Sequence, residues 1–585
     1  MPSLKQPMRH TDVSRFCLGA LLGAAVFLIL YGAFALDPCY DSWIYCGYVE
    51  EDVIQHYAAW QYLRNQSWDL PLCWIKNAAL PLGSSAAFAD PLPWAALFFK
   101  VLSPLLPETF QYFGLVSLLH YMLQGGFAWL LLALFDRRVG VCVPGTLLLC
   151  CQPVLLERTF RHLSLSAQWL VLWMLYLYFV SHRQSRLPWF AWAVLFCLIP
   201  GVHAYFLPMA FALLCAAVLE NILRTRRLLR PAGLVVLCMA GALASARVLG
   251  VIVPHTPLGG DPYGSYSMNL NALINPSSMD LYAADGRLDW SLLLPTLPQT
   301  AHQYDGFNFP GLGVLLTAGV MLLYGIAVLL RALRRKEGAV LLKRAAAFLY
   351  RHIGLLLACA ACTVFAVSNN VFWGERALLQ LPLPRLLSDE LFAAFRASGR
   401  IFWPVGYLLT LAVILFPARH LSARRLSCAA LCLLLAVQLG DMGGVLACKA
   451  AYFRRGPLVS DEPFHSEKAQ QLFAATDEIR CMGNMFDYRL AESLIRCNPD
   501  IQTDIIFFAR GNFGEALARY EENYADVLTD RDIPDDVLYI ASEESVCTEV
   551  LQANPVLSAW QIGKFWFFGI AADARPAPDR VGALA

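Results

Sequence analysis

Charge is scarce in this sequence. Asp, Glu, Lys and Arg make up 15% of its 585 residues, against roughly 25% in ordinary soluble domains, which excludes a soluble globular chain. The 45 basic and 44 acidic residues leave a net charge of +1. No concentrated basic surface follows from that balance, so nucleic acid is excluded as a partner. Nucleotide and hydrolase signatures are missing as well: there is no GxxxxGK followed by Ser or Thr, no GxSxG, no HExxH and no paired-cysteine zinc spacing. This argues against ATP-driven transport within the chain and against serine or zinc hydrolysis. Acids are nearly absent from the apolar runs, only Glu220 and Asp441 falling inside them, each towards an end. The eighteen cysteines mostly lie inside those runs, where cysteine acts as a small hydrophobe.

What the chain has is hydrophobic length. With 58% hydrophobic residues, it offers stretches near the ~20 residues that a membrane crossing requires. They fall at 16–36, 110–135, 139–156, 163–181, 188–203, 205–223, 232–253, 311–333, 352–368, 401–417 and 426–446, eleven spans in all. Lys and Arg gather in alternate connections, at Arg137-Arg138, Arg183 to Arg186, Arg224 to Arg230, Arg331 to Arg351 and Arg419 to Arg425. The positive-inside rule then places the N-terminus in the cytoplasm and the loops 37–109, 157–162, 254–310 and 369–400 outside, with the tail. Lys5, Arg9 and Arg15 precede an apolar stretch too long for a signal peptide core, which reads as a retained anchor. The segment 91–106, apolar but short and bounded by prolines, reads as interfacial or re-entrant. Beyond Tyr452 the apolar runs end. Runs such as Val537 to Ile540 alternate there with helix-like stretches such as Phe513 to Tyr524, the pattern of a small α/β domain. The expected architecture is an α-helical polytopic membrane domain over 1–450 and an extracytoplasmic α/β domain over 451–585.

The stretch Glu50 to Trp60 places three carboxylates beside the first apolar run. In a helix, Asp52, Gln55, His56 and Ala59 share one face, and Val53, Tyr57 and Trp60 an adjoining one. That spacing suits a helix lying in the membrane interface and equally a solvated acidic patch at a helix N-terminus. The topology gathers further polar residues on the same outer rim: Asp90, Glu157, Arg158, Arg161, His162, His203, Gln303, Tyr304, Asp305, Asn308, Arg396 and Arg400. Several have ordinary explanations, since short exposed connections are polar and Asp305 and Asn308 flank a turn at Gly306.

Particular runs carry a resemblance. Asp52 to Tyr57, Trp68-Asp69-Leu70-Pro71-Leu72, Ser103-Pro104-Leu105-Leu106-Pro107 with Phe110 to Gly114, His162 to Trp169, and Ala397-Ser398-Gly399-Arg400 with Phe402-Trp403-Pro404 together resemble a bacterial family of multi-pass membrane proteins placed near the GT-C glycosyltransferases. The likeness spans about 45–420. It implies a GT-C-like fold of the inner membrane whose first outer loop carries a key acid over a polyprenyl-phosphate sugar donor, and Asp52 matches that position. The chain departs from the better-known members in lacking a WWDYG-like or DEP-like signature. On this reading Asp52 is the catalytic base. His56, Arg158, Arg161, His162, His203, Asp305 and Arg400 are the substrate-binding set, and a cell-envelope glycan, lipid or protein is the acceptor. A divalent cation, Mg2+ or Mn2+, held by Asp52 with Glu157 is a further role open to these acids. Two rival classes stand beside it: a transporter or flippase of a lipid-linked glycan, and a non-catalytic envelope scaffold. Ion-coupled carriers keep ionisable groups at mid-membrane, where this chain has almost none.

Overall fold

The computed structural model describes residues 10–45, 51–253, 261–277, 289–421, 423–454, 462–483, 487–505, 513–529, 532–572 and 574–579. These residues form two compact units. One comprises 1–37, 113–245 and 259–456; the other comprises 38–112, 246–258 and 457–585.

The first unit is helical, and its helices are those of a multi-pass membrane protein. Among the described residues, eight single helices are long and apolar enough to cross a bilayer: Asp12–Tyr31, Phe113–Phe135, Val139–Arg158, Leu163–Gln184, Phe206–Thr225, Leu229–Leu249, Leu312–Arg334 and Ser398–His420. Two bent pairs, Gly338–Arg351 with Ile353–Val367 and Arg424–Asp441 with Gly443–Phe453, raise the number to at most ten. The expected eleven is therefore too many. The surplus is 188–203, where the helix covers only Trp189–Leu198 before a tight turn at Ile199–Gly201. Pro200 in that turn has no N–H to continue the helical ladder.

Close backbone approach holds the first two spans together. A Cβ placed on Gly19 would collide with the carbonyl of Gly125, and one on Gly23 with that of Tyr121. The Gly19-x-x-x-Gly23 spacing is the small-residue interface that membrane helices use in place of a hydrophobic driving force. Around it, Phe27, Tyr31, Tyr121, Phe160 and Phe453 form an aromatic cluster with ring centroids 4.6 to 6.1 Å apart. At the other extreme, Leu312–Arg334 leaves Leu316, Val320, Leu322 and Leu323 more than half exposed, as a lipid-facing helix does.

The second unit joins the first outer loop to the tail. Its five-stranded sheet runs in the order Gln502–Thr503, Glu478–Cys481, Val537–Ala541, Phe565–Gly569, Ser558–Ile562. The first three strands are parallel, and the last two add on antiparallel as a hairpin. Gly563 turns that hairpin with φ +59°, a conformation glycine adopts without steric cost. Helices flank the sheet, so the expected α/β character is present. The tail does not cluster by itself, however. Asn77 donates to the carbonyl of Ile501, and the backbones of Asn77 and Leu80 both bond Thr503.

The Glu51–Asn65 helix shows why the loop belongs here. Its residues Val53 to Leu63 are buried on every side, so it is neither a surface patch nor an amphipathic helix half-sunk in lipid. Its polar groups are used within the unit. His56 Nδ1 bonds the carbonyl of Ala89, Trp60 Nε1 donates to that of Phe110, and Gln61 donates to that of Glu108. Against it packs Tyr488–Cys497, whose Arg496 reaches Asp41 Oδ2 at 2.6 Å, Glu492 Oε1 at 2.7 Å and Tyr45 Oη at 2.5 Å. Burial pushes the Glu492 carboxyl up, but Arg496 and His465 outweigh it and hold that carboxyl below its usual range. All seventeen described cysteines are free thiols, so packing and ion pairs rather than disulfides hold this unit.

Candidate ion-pair site

Six of the eight candidate catalytic and substrate-binding residues, and Glu157 with them, lie in the helical unit at span ends opposite the basic connections. Glu157 and Arg158 end the Pro153–Arg158 helix, and Arg161 and His162 follow it. His203 lies in the break between the turn Ile199–Gly201 and the Phe206–Thr225 helix. Asp305 lies in the turn Ala301–Gly306, and Arg400 in the turn Ser398–Phe402.

The fold brings these turns together. Asn308 donates to the carbonyls of Gly306 and Gly399, both at 3.0 Å. Gly399 lies so close to Gly306 that an added Cβ would be 2.6 Å from the Cα of Gly306. With the two turns held in this way, Asp305 bridges two guanidiniums: Arg158 Nη2 stands 2.5 Å from Oδ1, and Arg400 Nη2 stands 2.8 Å from Oδ2. Arg158 also donates to the backbone carbonyl of Asp305 at 3.1 Å. All three side chains are buried or nearly so. Burial pushes the Asp305 carboxyl up, but Arg158 and Arg400 outweigh it and hold the carboxyl well below the usual carboxylate range. Asp305 is therefore ionised at neutral pH and fixes both arginines.

A second pair lies alongside. Arg161 pairs with Glu157, whose other oxygen accepts from Trp290 Nε1 at 3.0 Å. Arg161 also lies over Tyr304, and Arg400 over Tyr205 at 4.8 Å from the ring centroid. Tyr205 accepts from the backbone N–H of Ala397 through its hydroxyl, and its own N–H donates to His203 Nδ1. The rings of His162 and His203 meet edge to face at 5.6 Å. The Lys449 side chain is buried above Trp290.

This arrangement suits anion recognition. Guanidinium forks locked by carboxylates and aromatic faces are pre-organised for oxygen atoms of phosphate, and less rotamer freedom is lost on binding. A divalent cation fits less well. Hard cations want several free oxygen ligands, whereas Glu157 is already engaged by a guanidinium and an indole N–H. Elsewhere in this unit His182, Glu220 and His352 converge within metal-ligand reach. There Tyr178 and the backbone N–H of Leu355 donate to Glu220, and Arg224 stands 3.5 Å from it. Those contacts make a buried hydrogen-bonded ion pair.

Asp52 and His56 belong to the other unit. Asp52 lies half-buried in the first turn of the Glu51–Asn65 helix, and His56 is fully buried one turn later. Glu50 lies outside the described residues. Sequence reasoning placed Tyr304 on the outer rim without giving it a role, and it passed over Tyr205, Trp290 and Lys449. Of these only Lys449 carried a signal, as a cation beside an apolar run.

Gly399 supplies a direct check of this geometry. Gly399→Ala is expected to push the Ser398–Phe402 turn away from Gly306 and destabilise the protein by about 1 to 3 kcal/mol, since the atom it meets is backbone and cannot yield. Gly406 has open space where a Cβ would go, so Gly406→Ala should be neutral or slightly stabilising. Thermal melts of the two purified variants in one detergent measure the difference.

Residues 20–443 match the family model described as "Domain of unknown function (DUF6311)". No curated protein matches the chain.

Proposed function

We propose, for a chain that belongs to this DUF6311 family, that it is a GT-C-like glycosyltransferase of the bacterial inner membrane. It transfers a sugar from a polyprenyl-phosphate donor to a cell-envelope acceptor on the outer face, with the N-terminus cytoplasmic. The observation that carries this reading is the buried trio Arg158, Asp305 and Arg400. One carboxylate holding two guanidiniums leaves the trio with a formal charge of +1, which suits the single negative charge of a phosphodiester donor. A lipid tail lies naturally against the apolar spans, and the trio lies at their ends.

The chemistry asks for few groups. The acceptor oxygen attacks the anomeric carbon as the bond from that carbon to the phosphate oxygen breaks, and the electron pair leaves with the phosphate. Arg158, Arg161 and Arg400 stabilise the charge that accumulates there. The general base that takes the acceptor hydroxyl proton is assigned to Asp52 on the family resemblance alone. Attack from the face opposite the leaving group inverts the anomeric centre.

Donor binding tests the assignment. Replacing Arg400 by Gln removes one charge-assisted hydrogen bond, worth about 1.5 to 3 kcal/mol. Affinity for a polyprenyl-phosphate sugar should therefore fall by roughly 10- to 100-fold. Binding of the uncharged polyprenol should not change. Equal losses for both ligands would assign Arg400 to folding alone.

A further inference from the structure

Opposite the ion-pair site, the helical unit carries a second and differently built cationic feature. Leu312–Arg334 ends in a tight corner: Glu337 N–H bonds the carbonyl of Ala332 at 2.8 Å, and Lys336 takes φ +58°. This is a Schellman-type helix end, which sets the exit direction of the chain. The next helix, Gly338–Arg351, has no buried residue and meets Ile353–Val367 at 74°. If Ile353–Val367 crosses the bilayer, Gly338–Arg351 runs nearly along its surface.

The sequence of that helix fits such a position. At 100° per residue, Leu341, Leu342, Ala345, Phe348 and Leu349 fall on one face, Lys343 on the opposite one, and Arg344 and Arg351 along one edge of the apolar face. The apolar face is open, with Leu342 71% and Phe348 59% exposed. An exposed apolar face backed by basic residues is the build of a helix embedded at the headgroup boundary.

At the corner there is also a defined cavity. A space of about 170 Å³ is lined by Arg331, Arg335 and Arg344, with Glu337 and the apolar Val328, Ala332, Val340 and Leu341 completing its wall. Arg331 and Arg335 are one helical turn apart and face the same way. Among the described residues none of the three guanidiniums forms a side-chain hydrogen bond or ion pair, and Glu337 forms no ion pair. Three positive charges and one negative therefore surround a small space whose remaining wall is hydrocarbon.

We infer that this corner is a binding site for the phosphate headgroup of an anionic phospholipid, its acyl chains lying against the exposed face of Leu312–Arg334. The combination selects the lipid over other phosphates. Arg331, Arg335 and Arg344 recognise the phosphodiester, and Val328, Val340 and the open leucines receive the chains. A free phosphate would leave the apolar wall unused. The leaflet is the one at which the basic connections lie, where anionic lipids attract such clusters.

The test uses the full-length protein in a neutral detergent, titrated with dioctanoyl phosphatidylglycerol, dioctanoyl phosphatidylcholine or inorganic phosphate and read by native mass spectrometry. Phosphatidylglycerol should bind, and binding should weaken as ionic strength rises. The triple variant R331Q, R335Q, R344Q should lose about 100-fold in affinity, as expected for three surface cations near one anionic headgroup. Arg376→Gln, on an exposed strand elsewhere, should leave binding unchanged. Equal binding of the two lipids would overturn the proposal, as would an unaffected triple variant. Displacement by an equal concentration of inorganic phosphate would overturn the lipid assignment. Should the triple variant fail to fold, the salt series on the unaltered protein decides: binding that does not weaken between about 50 and 300 mM salt contradicts a headgroup held by exposed charges.

Discussion

Asp52→Asn is expected to slow sugar transfer by roughly 10²- to 10⁴-fold while leaving donor affinity almost unchanged, the range for losing a general base. The substitution keeps shape and most hydrogen bonding and removes only the proton acceptor. Its surroundings make the comparison clean. Asp52 sits in the first turn of a helix whose following eleven residues are buried and anchored by His56, Trp60 and Gln61, so the backbone at Asp52 is fixed from behind. If the carboxylate served only the helix end, its loss would cost about 1 kcal/mol of stability and leave turnover alone. Glu51→Gln, one residue earlier, controls for plain negative charge at the same helix start. Turnover of the two variants, measured beside their melting temperatures, separates these roles.

Asp305→Asn should have the largest effect on stability, a loss of about 3 to 5 kcal/mol, because it leaves Arg158 and Arg400 buried without their carboxylate. Asn matches the volume of Asp but turns an N–H group toward donors. The pH dependence has a fixed sign. The folded carboxyl lies below its unfolded value of about 3.9, so the stability it contributes is fully present above that value and is lost as pH falls through the folded one. The gap between wild type and variant should thus be constant from neutral pH to about pH 5 and narrow in stronger acid. Combining Asp305→Asn with Arg158→Gln should cost less than the two single changes added together, since the second change removes one of the stranded charges. Denaturation of the four proteins in one detergent, repeated across pH, gives both the cycle and the slope.

The spans were legible because hydrophobic length is a local property. Phe113–Phe135, Leu312–Arg334 and Ser398–His420 agree with the sequence reading to within a few residues. The segment 188–203 was miscounted because apolar composition does not reveal that the helix stops at Leu198, although Pro200 and Gly201 were in view. The bends after Arg351 and Asp441 had no proline to announce them. The larger failure concerned Glu51–Asn65. Its polar residues were read as facing water or lipid headgroups, whereas they bond the backbone of residues 89, 108 and 110 and pack beside Tyr488–Cys497. Only the fold reveals partners more than 400 positions away. The same distance effect hid the role of Asp305. In sequence it is a turn residue beside Gly306, and only the folded turns show that it joins Arg158 to Arg400. The sequence motif Ala397 to Arg400 did contain the clue to that junction, since Gly399 is what allows the two turns to touch.

Release of the lipid carrier reports sugar transfer itself. Purified full-length protein is placed in liposomes with a polyprenyl-phosphate hexose and a detergent extract of cell-envelope material as acceptor, and free polyprenyl phosphate is quantified by mass spectrometry. Release is expected to need the acceptor extract and to fall at least about 100-fold with Asp52→Asn. Donor that crosses the bilayer intact with no polyprenyl phosphate formed would rule out sugar transfer and make the protein a carrier of the lipid-linked sugar.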